Sequence, residues 1–262
     1  MNDHIVFDAY QSCIEEVKKA GALLKQGFSD SSKTITSKDG RELVTNYDLA
    51  SEQLLKNFLN RFDFPVVAEE SGGNCSSGPY WVIDPLDGTN NFSFGIPHFC
   101  VTIALIDIGP IFGIVYDPLR DELFHAIKGK GAYLNNFPIS VSTRCAMKDG
   151  ILATGFSYTL TETNYNNIDN FGRVTVKAKG TRRMGSAALD LCYVACGRFD
   201  GYWETGLKVW DMAAGALIVE EAGGKTSLFD GTAWVPTVDC ILSSNGLIHD
   251  ELGACLSPYD ND

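Results

Sequence analysis

Apolar residues recur at helical spacing from Ile5 to about Gly27, where Val6, Tyr10, Cys13-Ile14, Val17, Ala20 and Leu23-Leu24 mark one face of an amphipathic helix. Ser29–Arg41 is polar and carries Lys33, Lys38 and Asp39-Gly40, so a mobile loop or short hairpin is expected there. Thr45-Asn46-Tyr47-Asp48 then opens a second helix, with Leu49, Leu54-Leu55, Phe58-Leu59 and Phe62 as its inner face. Pro65–Ala68 reads as a short buried strand that delivers Glu69 at its C-terminal end.

Further on, turn chemistry separates three strand-like runs, Cys100–Ile106, Ile111–Tyr116 and Glu122–Ile127. The second half alternates differently. Ile151–Thr154 reads as a strand, about Thr163–Val174 as a weak helix, and Ser186–Cys196 as a clear helix between Gly185 and Gly197. Gly201–Glu204 is a strand, Met212–Ala222 a helix closed by Gly223-Gly224, and Asp239–Ser243 a last strand before a C-terminal helix. The tail from Ser257 to Asp262 is expected to be frayed surface. The pattern predicts one domain: an antiparallel-rich α+β half, about 1–145, packed with an α/β half, about 146–262, and sharing one site with it.

Composition sharpens this. An apolar content of 45%, with 11% aromatic, supplies a sizeable core and excludes a disordered chain. The net charge of −12 argues against a broad nucleic-acid or anionic-membrane footprint, so neither partner is expected. It leaves room for an anionic substrate, because bound divalent cations invert the local field. The start, Met1-Asn2-Asp3-His4, lacks a basic segment leading into an apolar run, and no stretch approaches the ~18 apolar residues of a membrane span. A soluble, cytoplasmic protein is expected. The eight cysteines form no Cys-x-x-Cys pair and sit mostly in apolar stretches, as reduced, buried thiols would.

The chemistry concentrates in Trp81-Val82-Ile83-Asp84-Pro85-Leu86-Asp87-Gly88-Thr89-Asn90-Asn91-Phe92. An apolar strand ends there in two carboxylates, Asp84 and Asp87, which Pro85 and Gly88 can aim at one point, with the Leu86 carbonyl placed to join them. Mg2+ takes such hard oxygen ligands and keeps some waters, so a few carboxylates and a carbonyl suffice. Asp-Pro and Asp-Gly are also ordinary turn dipeptides, and the tract alone does not decide between the two. Gly88-Thr89 as a helix start adds backbone N–H groups suited to phosphate. Glu69 upstream and Asp211 downstream, the latter read as a helix N-cap with one oxygen free, extend the acidic set. Together they read as a multi-metal site for a small phosphate ester. No Ser or Cys nucleophile stands out, so direct attack by water is expected.

These residues carry a resemblance. Glu69-Glu70-Ser71, the Trp81–Phe92 tract, Trp210-Asp211-Met212-Ala213-Ala214-Gly215 and Glu220-Glu221-Ala222-Gly223-Gly224 resemble, in order and separation, the inositol monophosphatase family of Mg2+-dependent, lithium-sensitive phosphatases. Leu43–Asp48 and Gly185–Asp190 fit as well, and the stretch from Arg182 to Ala188 with Gly197-Arg198 is similar to the bacterial branch. The resemblance implies a layered αβαβα sandwich, a homodimer, and inositol monophosphate as substrate. It implies two to three Mg2+ ions: a first on Glu69, Asp84 and the Leu86 carbonyl, a second on Asp84, Asp87 and Asp211, and a looser third near Glu69. It places phosphate on the Gly88 and Thr89 amides, beside Leu86, Asp87 and Asp211. It gives Asp48, Thr89 and Glu69 catalytic roles in water attack, and it sets Gly185, Ser186, Ala187 and Glu204 along the alcohol. Relatives that prefer fructose 1,6-bisphosphate, histidinol phosphate or adenosine 3′,5′-bisphosphate are the alternatives, with Arg182, Arg183 and Lys208 as a candidate second cradle. A regulatory binding protein on the same fold is another.

Overall fold

The computed structural model describes residues 3–39, 42–73, 78–157 and 167–257. Helix α1 (Asp3–Phe28) leads into a hairpin, β1 (Ile35–Asp39) with β2 (Glu42–Thr45), and then α2 (Asn46–Leu59). A seven-stranded sheet follows: β3 (Val66–Ala68), β4 (Tyr80–Asp87), β5 (Cys100–Ile106), β6 (Pro110–Asp117), β7 (Glu122–Ile127), β8 (Ala132–Leu134) and β9 (Phe137–Pro138), in spatial order, with the short α3 (Thr89–Ser93) after β4. Only the β3–β4 pair is parallel.

The second sheet runs β11 (Gly180–Arg182), β10 (Ile151–Thr154), β12 (Gly201–Thr205), β14 (Cys240–Ser244), β13 (Lys225–Ser227), parallel on one side of β12 and antiparallel on the other. Its helices are α4 (Ile168–Thr175), α5 (Ala187–Ala195), α6 (Val209–Glu221) and α7 (His249–Gly253).

Side-chain alternation sorts these elements into layers. Trp81, Ile83, Ile103, Leu105 and Ile114 pack with α1 and α2 on one face of the large sheet. Val82, Ala104, Ile106 and Val115 pack on the other face with α5 and α6, a core that also takes Tyr202 and Ile241 of the second sheet. Leu152, Trp203 and Leu242 close the far face of that sheet against α4 and α7. The result is the αβαβα sandwich. Gly113 on β6 lets α6 approach closely, since a Cβ there would sit 2.7 Å from Ala214 Cα.

Several expectations shift. The polar stretch 29–41 holds the strands of a hairpin, with residues 40–41 outside the described set. Leu49, expected on the inner face of α2, is 55% exposed. Its place is taken by Asp48, Ser51 and Glu52, which turn inward because that face borders the acidic site. Helix α6 begins at Val209 rather than Met212, and α4 at Ile168; the earlier residues assigned to α4, 163–166, and the tail 258–262 lie outside the described residues.

Candidate active site

Strand β4 decides the geometry. Positions three apart on a strand point to opposite faces, so a regular β4 would separate Asp84 from Asp87. The register with β5 slips between these residues, where Pro85 and Leu86 form a bulge. Leu86 turns into the α1–α2 core, fully buried, and both carboxylates emerge on the α6 side. The bulge is tied down from three directions: Leu86 N–H donates to Asp84 Oδ1 at 2.9 Å, Ser51 to the Pro85 carbonyl at 2.8 Å, and Asp84 N–H to Thr102 Oγ1 at 3.2 Å.

Three helices then bring partners. On α6, Asp211 stands at the third helical position, not at the N-cap as expected; the cap residue is Lys208, whose N–H donates to Asp211 Oδ2 at 2.6 Å. Asp84, Asp87 and Asp211 offer carboxylate oxygens that all lie within 4.8 Å of one another, the only such group among the described residues. At the start of α5, Ser186 Oγ and Ala188 N–H donate to Asp87 Oδ2 at 2.6 and 2.8 Å. The Ser186 side chain, expected along the alcohol, is buried and engaged with Asp87. On α2, the fully buried Asp48 accepts Thr89 Oγ1 at 2.9 Å, and Thr89 also reaches the Leu86 carbonyl at 2.9 Å. A capping box fixes Asp48, which accepts the Thr45 N–H at 2.9 Å and the Thr45 hydroxyl.

Glu69 approaches from β3. It is in hydrogen-bonding contact with Asp84 and accepts an ion pair from Lys38 at 3.1 Å, while Lys38 also grips Glu70. Lys38 therefore connects the hairpin to the acidic site, a role the sequence left open.

Burial governs the electrostatics. Asp84 is pushed well above the usual carboxylate range by burial, then by Glu69, Asp87 and Asp211. Asp211 is raised by burial and by Asp87, against the opposing Lys208 amide. Burial also raises Asp87, and the Ser186 and Ala188 donors partly counter it. Such a set of converging hard oxygens, crowded enough to resist ionising together, fits Mg2+ or a similar divalent cation.

On the second sheet, Glu204 Oε2 accepts the Tyr202 hydroxyl, and burial lifts the Glu204 carboxyl to about 8. Gly155 lies against that carboxyl, where a Cβ would come within 2.1 Å of an oxygen. Gly88, at φ 95°, starts α3 and backs onto the carbonyls of His98 and Gly185. Asn91 Nδ2 donates to the carbonyls of His98 and Met184, both at 2.8 Å, joining the Gly88 turn to the Gly185 turn. Sequence reasoning did not single out Gly155, Asn91 or Tyr202. Asn91 stood in the signature tract, and Tyr202 sits two positions from Glu204 on one strand face. Arg182 and Arg183 are exposed, with Arg183 close enough to act on Glu204 and Asp190.

Comparison with known proteins matches residues 8–258 to the model of the inositol monophosphatase family. The chain is 46% identical over 222 residues to an inositol-1-monophosphatase of Synechocystis sp., covering 82% of this chain and 77% of that one. It is 41% identical over 225 residues to the Nus factor SuhB of Escherichia coli, covering 83% and 84%. Among solved structures, SuhB from Bartonella henselae superposes with a TM-score of 0.89 at 35% identity, covering 95% of this chain and 98% of that one. Inositol monophosphatase from Anabaena superposes at 0.84 and 39%, covering 94% and 96%.

Proposed function

Because the chain belongs to the inositol monophosphatase family, we propose that it is a Mg2+-dependent phosphomonoesterase that hydrolyses inositol monophosphate to inositol and phosphate. The observation that carries this reading is the cluster of buried Asp84 and Asp87 with half-buried Asp211 beside the Gly88-Thr89 helix start, with Asp48 linked to it through Thr89. Asp84, Asp87, Asp211, Glu69 and the Leu86 carbonyl would hold two to three cations, which supply charge neutralisation at the phosphoryl group and make water a stronger acid.

The chain's own residues do the rest. The first amides of α3 lack intrahelical partners and receive phosphoryl oxygens at Gly88 and Thr89. Thr89 and Asp48 orient the attacking water and take its proton. A new O–P bond forms, the ester P–O bond breaks in line, and the alkoxide leaves as the alcohol by taking a proton from solvent, to which Asp48 returns the one it received. Glu204, holding a proton at neutral pH, donates to as well as accepts from a ring hydroxyl, and Gly185, Ser186 and Ala187 border that pocket. Because the Ser186 side chain is taken, its share is backbone.

A panel of inositol 1-phosphate, fructose 1,6-bisphosphate, histidinol phosphate and adenosine 3′,5′-bisphosphate, assayed with Mg2+ and then with added Li+, tests the substrate. The highest kcat/KM is expected on inositol 1-phosphate, with inhibition by Li+. Asp87→Asn is expected to cut turnover at least ~100-fold with the fold retained; unchanged hydrolysis would overturn the metal assignment. Phe94 and Ile96, 77% and 49% exposed beside α3, support a homodimer, which light scattering would detect.

The Nus factor name of several relatives favours a second reading, a role alongside the transcription machinery. Normal transcription in cells that carry only the Asp87→Asn chain would separate that role from hydrolysis.

A further inference from the structure

A cavity of about 940 Å3 lies on the opposite face of the large sheet from the carboxylates, where the N-terminal half of α1 crosses β6, β7 and β8. Four rings build its wall. Phe7 and Tyr10 of α1 have centroids 6.3 Å apart, Tyr10 meets His125 edge-on at 5.8 Å, and His125 stacks on Tyr133 at 5.5 Å with an interplanar angle of 11°.

The wall is preset. His125 Nε2 faces the Asn135 carbonyl at 2.7 Å, which can only accept, so Nε2 carries the hydrogen and Nδ1 accepts from the Tyr10 hydroxyl. Burial lowers the His125 pKa, in keeping with a neutral ring. Phe7 remains 53% exposed, an apolar ring left in water at the mouth.

The rim supplies charge. Lys128 and Lys130 line the cavity from the β7–β8 turn and take part in no ion pair among the described residues. The turn itself is held firmly, because Glu221 accepts the N–H groups of Gly129 and Gly131 at 2.6 and 2.8 Å. Both lysines are exposed, and Glu220 is the carboxylate near enough to Lys128 to feel its charge. In a chain of net charge −12, Lys128 and Lys130 put two cations beside the aromatic wall, with Lys18 close enough to act on His125. Asp107, on the same lining, disfavours a second negative group.

We propose that this cavity is a ligand site, separate from the catalytic one, for a small aromatic monoanion. Its ring system extends the His125–Tyr133 stack, and its carboxylate or sulfonate meets Lys128 and Lys130. The volume falls in the range of small-molecule sites, and the mix of apolar wall and few charged groups is what such sites use.

The test is a fluorescence titration of the full chain, in Mg2+, with anilinonaphthalene sulfonate, beside the uncharged phenylnaphthylamine and plain acetate. The expected result is saturable binding of the sulfonate at one site per chain, at least about tenfold weaker binding of the neutral ring, and no competition by acetate. Lys128→Glu with Lys130→Glu, and separately Tyr133→Ala, should each weaken the sulfonate about tenfold or more. The paired lysine substitutions sit on an exposed turn and should leave the melting temperature and phosphate release unchanged. Absence of saturable binding overturns the proposal, as does an affinity that neither set of substitutions moves.

Discussion

Asp87 shows how much of the site's chemistry depends on the groups that hold a carboxylate in place. Its Oδ2 is occupied by Ser186 Oγ and Ala188 N–H, with the Cys100 thiol at 3.7 Å, so Oδ1 alone is left for the cluster. Groups that orient a metal ligand typically govern affinity by 10–100-fold. We therefore expect Ser186→Ala to raise the Mg2+ concentration for half-maximal phosphate release about tenfold, with Ser186→Thr restoring it. Mg2+ titrations of activity and calorimetric binding should agree. Equal Mg2+ requirements in the native and Ala forms would show that the amide of Ala188 suffices. Glu204 depends on its surroundings in the same way, since Tyr202 and the bare Cα of Gly155 hold its carboxyl in place.

At the level of elements, β4 is the informative case. Its run of apolar residues is that of a strand buried on both faces, yet its function depends on one irregularity, the bulge that puts Asp84 and Asp87 on one side. Helix α7 illustrates a purely structural linkage. Ser227 Oγ donates to the Leu228 carbonyl at 2.6 Å, so it accepts from His249 Nε2 at 2.8 Å, and Nδ1 accepts the Ser244 hydroxyl at 2.9 Å. Burial, with Lys225 nearby, lowers the His249 pKa to about 4. Between about 4 and the unfolded value of about 6.5 the unfolded chain binds the extra proton, so this residue's contribution is full above about 6.5 and lost on acidification through that window. Melting temperatures measured from about pH 7 to about pH 5 should fall more steeply for the native chain than for His249→Gln. Parallel slopes would mean the imidazole is not held neutral.

Across the whole molecule, the site is a meeting place of layers. Asp84 and Asp87 come from the large sheet, Asp211 from α6 between the sheets, Asp48 from α2 on the outer face, and Glu204 from the second sheet. Folding forces these acids together, and their mutual repulsion is a cost that cations remove. Mg2+ or Mn2+ should therefore raise the melting temperature. A cation at 100 times its Kd contributes about 2.7 kcal/mol, worth roughly 5 °C or more in a chain of this size. Chelation should reverse the rise, and Asp87→Asn should lose most of it while melting no lower than the native chain without metal. A native melting temperature indifferent to both cations would contradict the reading of these carboxylates as ligands.

Much of this was legible in the chain. Periodicity located α1, α2, α5, α6 and the strands β5 to β7, because each buries one face or one stripe against a neighbour and must be patterned to do so. The ordered acidic motifs located Asp84, Asp87, Asp211 and Glu69, and pointed to a divalent cation and a phosphate ester. Tertiary structure decided the rest. Leu49 faces outward because the acidic site claims its face of α2. The Ser186 hydroxyl serves Asp87, 99 residues away. Lys38 reaches Glu69 across 31 residues, and Gly155 is needed only because Glu204 lies against it. Local spacing specifies how a segment sits on its own layer, whereas the partner of a polar group depends on how layers stack, and that is settled only when the whole core closes.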